Sequence, residues 1–275
     1  MKTGVVLSFD DILLINFQWC IKSSIPSCQL SIPPDLLTSE TEKAIQEACC
    51  STGMEITSLI GVLSGPSREW NFTYGPSTTG IVPPAFRAVR MGELKKCAQF
   101  AKRLGIPAVC AQMGFIPENP METLYGEVVA AIRHLAVFYK EMGLKLNMET
   151  GQETPVTLLR IIQDVSEDSL GINFDPANLL MYGKANPLDA LDIIGTYVNS
   201  VHVKDGEYPA NGMRLGEERP LGLGPVNVRA FVEKLKKIGY DGALTIEREI
   251  SGPEQKQDIL VANRMLKAIL DSLDG

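Results

Sequence analysis

The chain has 275 residues, 45% hydrophobic and 21% charged, with a formal net charge of −7. That composition suits a soluble globular protein with a large core, and the acidic balance excludes the basic stripe of a nucleic-acid surface or of an anionic-membrane binder. No apolar run approaches the roughly 18 residues that span a bilayer, and the apolar start is broken at Asp10 and Asp11. Neither a membrane segment nor a cleaved leader is expected, and the expected location is cytoplasmic.

Along the chain, short apolar or β-branched runs read as strands at 4–9 (GVVLSF), 27–32 (SCQLSI), 55–62 (EITSLIGV) and 108–114 (AVCAQMG). The second half adds 144–150 (LKLNMET), 170–175 (LGINFD), 198–204 (VNSVHVK) and 242–249 (GALTIERE). Between them, apolar residues recur at three- and four-residue spacing, most clearly at 91–105, 122–143, 228–239 and 257–273, which predicts helices. Gly105, Gly143 and Gly239 stand where those helices give way to the next strand, the position at which a left-handed residue ends a helix without a Cβ clash.

About eight such strand–helix units in a chain of this length predict an α/β fold, a single (β/α)8 TIM barrel forming one domain over 1–275. A doubly wound open sheet is the alternative. It would normally carry a Gly-rich first turn for a nucleotide, whereas the first strand here runs into DDILL, and the LGLG at 221–224 lies in a late loop. The longest loops, 63 to about 84 and 205 to about 226, both follow strands, so in a barrel they sit on the catalytic face. The first contains Trp70, Phe72 and Tyr74 and reads as a lid over a pocket. Six cysteines lie within the first 110 residues with no C-x-x-C, which predicts reduced structural thiols and no zinc cluster.

The ends of the last four predicted strands carry the chemistry. NMETGQE supplies Glu149, NFDPAN supplies Asp175, VHVKDG supplies His202 and TIEREI supplies Glu247. Taken alone, an acid at a strand end is most often a solvated loop residue, and a strand histidine most often a hydrogen-bonded core residue. Four at equivalent depth on consecutive strands of a barrel converge on one rim, where three carboxylates would repel one another without a cation. The mixed O/N set suits a divalent ion, Mn²⁺ first with Mg²⁺, Co²⁺ or Zn²⁺ as alternatives. Glu249 lies on the same side as Glu247, which is preferred because Glu249 is nearer the barrel exit. The other histidine, His134, is mid-helix in AAIRHLAVFY and reads as structural.

The segments ETGQET, NFDPANLLMYG, VHVKDG, PLGLGPVNV and ALTIEREI together resemble the sugar phosphate isomerase/epimerase family, the xylose-isomerase-like barrels, with GFIPENP (114–120) as an earlier echo. The likeness is dense from about 145 to 252. It implies one metal held by Glu149, Asp175, His202 and Glu247, with Glu149 and Glu247 also acting as acid and base on opposite faces of a sugar. It further implies a small carbohydrate substrate, and it is compatible with a homo-oligomer built through barrel helices. Related ketose 3-epimerases carry a histidine where this chain has Asn178, an arginine where it has Tyr208, and an acid where it has Pro155, so their substrate-recognition residues are replaced. Lys204, Asn178, Gln152 and Arg214 are the substitute substrate contacts by position. Against that stand a lysine paired with Asp205 and an arginine solvated in its loop. The expected activity is a metal-dependent isomerase or epimerase of a sugar, keto-sugar or sugar phosphate acting through an enediolate. The alternative is a dehydratase of a keto-polyol such as an inosose or dehydroshikimate. Apurinic endonucleases share this barrel, but their trinuclear zinc site needs several histidines, and only His134 and His202 exist here.

Overall fold

The computed structural model describes residues 1–10, 12–66 and 71–274, so Asp11 and Trp70 lie outside the described residues. In chain order the strands are β1 (Lys2–Ser8), β2 (Ser27–Ile32), β3 (Glu55–Gly61), β4 (Ala108–Ala111), β5 (Lys145–Glu149), β6 (Leu170–Phe174), β7 (Val198–Val203), β8 (Asp205–Gly206), β9 (Glu218–Arg219) and β10 (Ala243–Ile246). Eight of them close a barrel in the order β1-β10-β7-β6-β5-β4-β3-β2, every neighbouring pair parallel. The short β8 and β9 form a separate antiparallel ribbon within the loop that follows β7.

The helices are α1 (Leu13–Lys22), α2 (Ser39–Thr52), α3 (Pro84–Leu104), α4 (Thr123–Met142), α5 (Pro155–Val165), α6 (Pro176–Met181), α7 (Pro187–Ile194), α8 (Val228–Lys237) and α9 (Pro253–Asp274). Their starts are written locally. Thr154, Asp175, Asn186 and Asn227 each accept a backbone N–H of the first turn, and proline fills the first helical position of α5, α6 and α7. At the other end Gly105 and Gly143 adopt φ near +70° as C-caps. Aromatic side chains fill the layer between barrel and helices, where Phe174 and Phe231 stack at 5.5 Å between centroids. None of the described helices is long and apolar enough to cross a membrane.

Two strands end earlier than their apolar runs. After Ala111 the Met113 carbonyl accepts Ile81 N–H at 2.8 Å and Val82 N–H at 3.3 Å from the preceding long loop, so the backbone there pairs with that loop. After Ile246 the Glu249 amide turns to the Glu218 carboxylate at 3.1 Å. Helix α3 starts seven residues earlier than the sequence pattern, at Pro84, whose ring suits the first helical position.

The long loop after β3 is anchored at its base. Buried Arg90 donates to the carbonyls of Ser64 (2.7 Å), Gly80 (2.7 Å) and Ser77 (2.8 Å), and Glu93 accepts Ser64 N–H at 3.0 Å. Its outer part meets the other long loop, with Phe72 N–H on the Met213 carbonyl at 3.1 Å. The two loops therefore join on the face where the strands end.

The barrel interior is unusually polar. Branched aliphatic residues normally fill it in layers, whereas Gln29, Asn147, Asn173, Ser200 and Thr245 are buried here. Gln29 Nε2 donates to Asn173 Oδ1 (3.2 Å), Asn147 Nδ2 to Ser200 Oγ (3.2 Å) and Asn199 Nδ2 to Asn147 Oδ1 (3.0 Å). Gly171 makes the last bond feasible, because a Cβ there would stand 2.0 Å from Asn199 Nδ2.

Candidate metal centre

Strand alternation brings the four predicted residues together. Glu149 ends β5, Asp175 follows β6, His202 is the penultimate residue of β7 and Glu247 follows β10. One ligand atom from each lies within 4.8 Å of the others. Oxygens and nitrogen bound at about 2.1–2.3 Å to one ion stand at most about 4.6 Å apart, so small side-chain adjustments bring the cluster to the size of a single-cation site. His202 Nδ1 faces Glu247 Oε2 at 3.4 Å, Glu149 Oε1 at 3.5 Å and Asp175 Oδ2 at 3.9 Å. Neither Nδ1 of His202 nor Oδ2 of Asp175 has a hydrogen-bond partner, although both are buried. Two orphaned ligand atoms aimed at one point fit a divalent ion.

Each ligand is held by its other end. Asp175 caps α6 through Oδ1, which accepts Asn178 N–H at 2.9 Å, and so leaves Oδ2 to the centre. The Thr150 hydroxyl and the Asp175 backbone bond each other reciprocally at 2.8 Å and fix that turn. Asn178 Nδ2 donates to Glu149 Oε1 at 3.0 Å. Behind His202, Nε2 lies 3.0 Å from Gln29 Oε1.

Lys204 follows His202 by two residues and extends from the same face of the chain into the acids. Its Nζ lies 2.6 Å from Glu249 Oε1, 3.1 Å from Glu247 Oε2, 3.3 Å from Asn178 Oδ1 and 3.7 Å from Asp175 Oδ2. It is not paired with Asp205. That carboxylate accepts the backbone N–H groups of Gly206, Gly222, Gly224 and Val226, all at 3.0 Å. The LGLG segment, which carried little weight in the sequence, is thus the wrapping around Asp205.

The electrostatics follow from three acids and two bases out of water. Burial pushes Asp175 well above the carboxylate range, with Glu247 and Glu149 adding to it and Lys204 opposing. Burial opposes the charged forms of His202 and Lys204, yet the surrounding acids outweigh it and raise both well above their ordinary values. Burial would raise Glu247 too, but Lys204 and His202 together hold it far below the usual range.

The other predicted contacts divide. Gln152 is buried and donates to Gln112 Oε1 at 2.8 Å. Arg214 is exposed on the loop after β7, with no side-chain bond to the four ligands among the described residues. Tyr208 is half exposed, Pro155 begins α5, and His134 is exposed beside Lys95 Nζ at 2.6 Å. Sequence reasoning missed Gln29, Glu249 as the partner of Lys204, and Glu153. The last is buried four residues past Glu149, and burial raises it to about 8. For Gln29 a signal existed, a long amide in the middle of the barrel strand SCQLSI. Beside Glu247, alone of the four ligands, a cavity of about 510 Å³ opens between Glu249, Ser8, Ser31, Asn16 and Trp19. It is large enough for a small polyhydroxylated molecule.

This chain is similar to a xylose isomerase domain protein from Planctomyces limnophilus, at 35% identity over 98% of this chain and 96% of that one, with a TM-score of 0.90. A D-tagatose 3-epimerase-like protein has the same fold at 21% identity, covering 100% and 98% of the two chains, with a TM-score of 0.73. Fold likeness at 15–17% identity extends to the IOLI protein with a zinc atom (TM-score 0.73), a Mycobacterium smegmatis barrel in complex with magnesium (0.68) and a probable 3-DHS dehydratase from Bacillus anthracis (0.71). An uncharacterized protein of Methanocaldococcus jannaschii is 26% identical over 190 residues, 65% of this chain, and the alignment spans 61% of that protein's length. Residues 26–269 match the family described as xylose isomerase-like TIM barrel, and the chain belongs to that family.

Proposed function

We propose that this protein is a divalent-metal-dependent isomerase or epimerase of a sugar, keto-sugar or sugar phosphate. The observation that carries the reading is the convergence of Glu149, Asp175, His202 and Glu247 within 4.8 Å, with two of their ligand atoms buried and unpartnered. A zinc atom in one barrel of the same fold and magnesium in another support a metal here. Mn²⁺ is our first choice for this oxygen-rich set.

A divalent cation bound there supplies a Lewis acid, which polarises a substrate carbonyl and its neighbouring hydroxyl and acidifies the carbon-bound proton toward an enediolate. The rest is the work of the chain. Glu149 and Glu247 enter the site from β5 and β10, 3.5 and 3.4 Å from His202 Nδ1, and on this reading take opposite faces of the substrate. One removes the carbon-bound proton and the other returns one. Return to the opposite face of the same carbon epimerises, and return to the adjacent carbon isomerises. Lys204, held by Glu247 and Glu249, presents a fixed positive charge to the developing oxyanion, and Asn178 orients Glu149. Gln152 lies at the same rim, and Arg214 on the loop above is the more distant substrate contact.

The second reading is a dehydratase of a keto-polyol such as an inosose or dehydroshikimate. A probable 3-DHS dehydratase from Bacillus anthracis has the same fold, and Glu153, four residues past Glu149, is raised to about 8 by burial. Incubating the Mn²⁺-loaded protein in D₂O with ketoses, ketose phosphates and inososes separates the readings. Deuterium wash-in without loss of mass is the expected result, and loss of water would favour the dehydratase. Absence of exchange on every member, with metal bound, would overturn both.

A further inference from the structure

His202 reaches toward the three carboxylates through Nδ1 and is gripped from behind through Nε2. We infer that Gln29 is a positioning residue that selects the tautomer of His202, keeping the proton on Nε2 so that the Nδ1 lone pair is left for a cation. The word "cation" rests on the metal reading above; the tautomer itself does not.

The end of the Gln29 amide that faces the histidine decides the tautomer. Its Oε1 lies 3.0 Å from His202 Nε2 and 3.3 Å from Cys110 Sγ, and its Nε2 lies 3.2 Å from Asn173 Oδ1. Cys110 is fully buried in the barrel and stays a thiol at neutral pH, so it has a proton to donate. Reversing the amide would set its NH₂ against that S–H and against the histidine, and would set its oxygen against Asn173 Oδ1. The Cys110 S–H, which donates to Oε1, therefore turns that oxygen toward His202. A carbonyl oxygen only accepts, so Nε2 of His202 carries a proton.

Two consequences follow for the other nitrogen. On a neutral ring Nδ1 is a lone pair among three acids, a repulsive arrangement until a cation enters. If Gln29 offered a donor instead, the neutral ring would place its proton on Nδ1, between the carboxylates, and that proton would block the ligand atom. Gln29 thus decides which nitrogen of the neutral, metal-binding ring is the lone pair. Asn173 sits two residues before Asp175 on the same face of its strand, so the network also ties together the strands carrying two ligands. This is outer-sphere control of a metal histidine, supplied here by a strand on the far wall of the barrel.

The test uses Gln29→Met, which keeps the length and removes the acceptor, and Gln29→Glu, which keeps an acceptor. Asn173 Nδ2 has no partner in the present structure and is free to turn toward that carboxylate. With only two histidines in the chain, His134→Gln assigns the imidazole signals of His202. In the Zn²⁺-loaded protein, long-range ¹H–¹⁵N correlation is expected to show Nε2 protonated and Nδ1 coordinated. Q29M is expected to bind Mn²⁺ at least about tenfold more weakly than the parent, and Q29E to recover most of that loss. Coordination through Nε2 would overturn the inference, and so would undiminished Mn²⁺ affinity in Q29M. If Q29M does not fold, Gln29→Asn withdraws the acceptor by one methylene and takes its place. A metal-free arm keeps the two readings separate. The Nε2–H resonance of His202 should be hydrogen-bonded and downfield in the parent and displaced in Q29M whether or not any divalent ion binds. A parent that binds no ion refutes the metal site, while an Nε2–H signal unmoved by Q29M refutes the role of Gln29.

Discussion

Lys204 Nζ stands 3.1 Å from Glu247 Oε2, with the lysine fully enclosed and the glutamate nearly so. A lysine in that position is a resident cation, sharing with His202 the task of holding acids together when no metal is bound. Removing one partner of a buried pair leaves the other charge uncompensated, which costs about 3–5 kcal/mol. Lys204→Met is therefore expected to destabilise the metal-free protein by about that amount. Mn²⁺ should recover part of the loss, because a bound dication replaces the missing charge. Urea unfolding in EDTA and in excess Mn²⁺ measures both. An equal penalty in the two conditions would show that the lysine serves packing and not charge balance.

Metal affinity should depend on pH through His202. Burial works against its charge, but Glu247 and Glu149 outweigh burial and raise it well above the ordinary value of 6.5. The sign for folding follows directly. The native metal-free protein keeps a proton that the unfolded chain sheds near 6.5, so this stabilisation is complete below that pH and is lost as pH rises through the raised value. Metal binding runs the other way. An ion must expel the Nδ1 proton and the proton that burial keeps on Asp175, so affinity rises with pH across the same window, by at most about tenfold per pH unit for each proton expelled. Calorimetric titration of Mn²⁺ between about pH 6 and pH 8, in buffers of different ionisation enthalpy, should find more than one proton released, because Asp175 sheds its proton along with His202. Proton-independent binding would place the metal away from His202.

The four proposed ligands should also differ in how far each can be lost. His202→Ala removes the one nitrogen and opens a hole among the acids, whereas Glu149→Gln keeps the shape and removes a charge. Both are expected to lower bound metal, by at least about tenfold in affinity, a loss as large as for an outer-sphere partner. Metal content after dialysis is the readout. Unchanged content in either variant would refute the constellation.

How much of this was legible in the sequence depended on distance along the chain. Strand and helix order could be read because each unit is local: an apolar run, a cap such as Asp175 with Pro176, a glycine such as Gly105. The ligand set was legible for a related reason. Glu149, Asp175, His202 and Glu247 each sit at the end of a strand, and barrel closure converts that shared local position into proximity. What stayed hidden were the partners chosen by closure itself. Gln29 meets His202 from the opposite wall, Glu249 reaches Lys204 only because β10 ends at Ile246, and Asp205 collects amides from Gly222, Gly224 and Val226. The loop after β3 looked like a free lid, because Arg90, which ties it down, lies on a helix outside it.

Glu153 gives the remaining prediction, one about stability. It is buried at 1% exposure just past β5, and burial raises it to about 8 against the pull of Lys184. An acid with a raised native pKa binds a proton that the unfolded chain has already lost. Stability therefore falls as pH rises from about 4, where the unfolded glutamate ionises, to about 8, and the loss is complete above that. Integrated over that span the cost is roughly 5 kcal/mol. Glu153→Gln keeps the shape of the neutral acid and carries no such cost. The variant should match the parent at or below about pH 4 and exceed it by up to roughly 5 kcal/mol at about pH 9. Denaturant unfolding of both proteins across that range, in EDTA to keep metal out of the balance, is the measurement. Parallel curves would mean that Glu153 ionises in place without penalty.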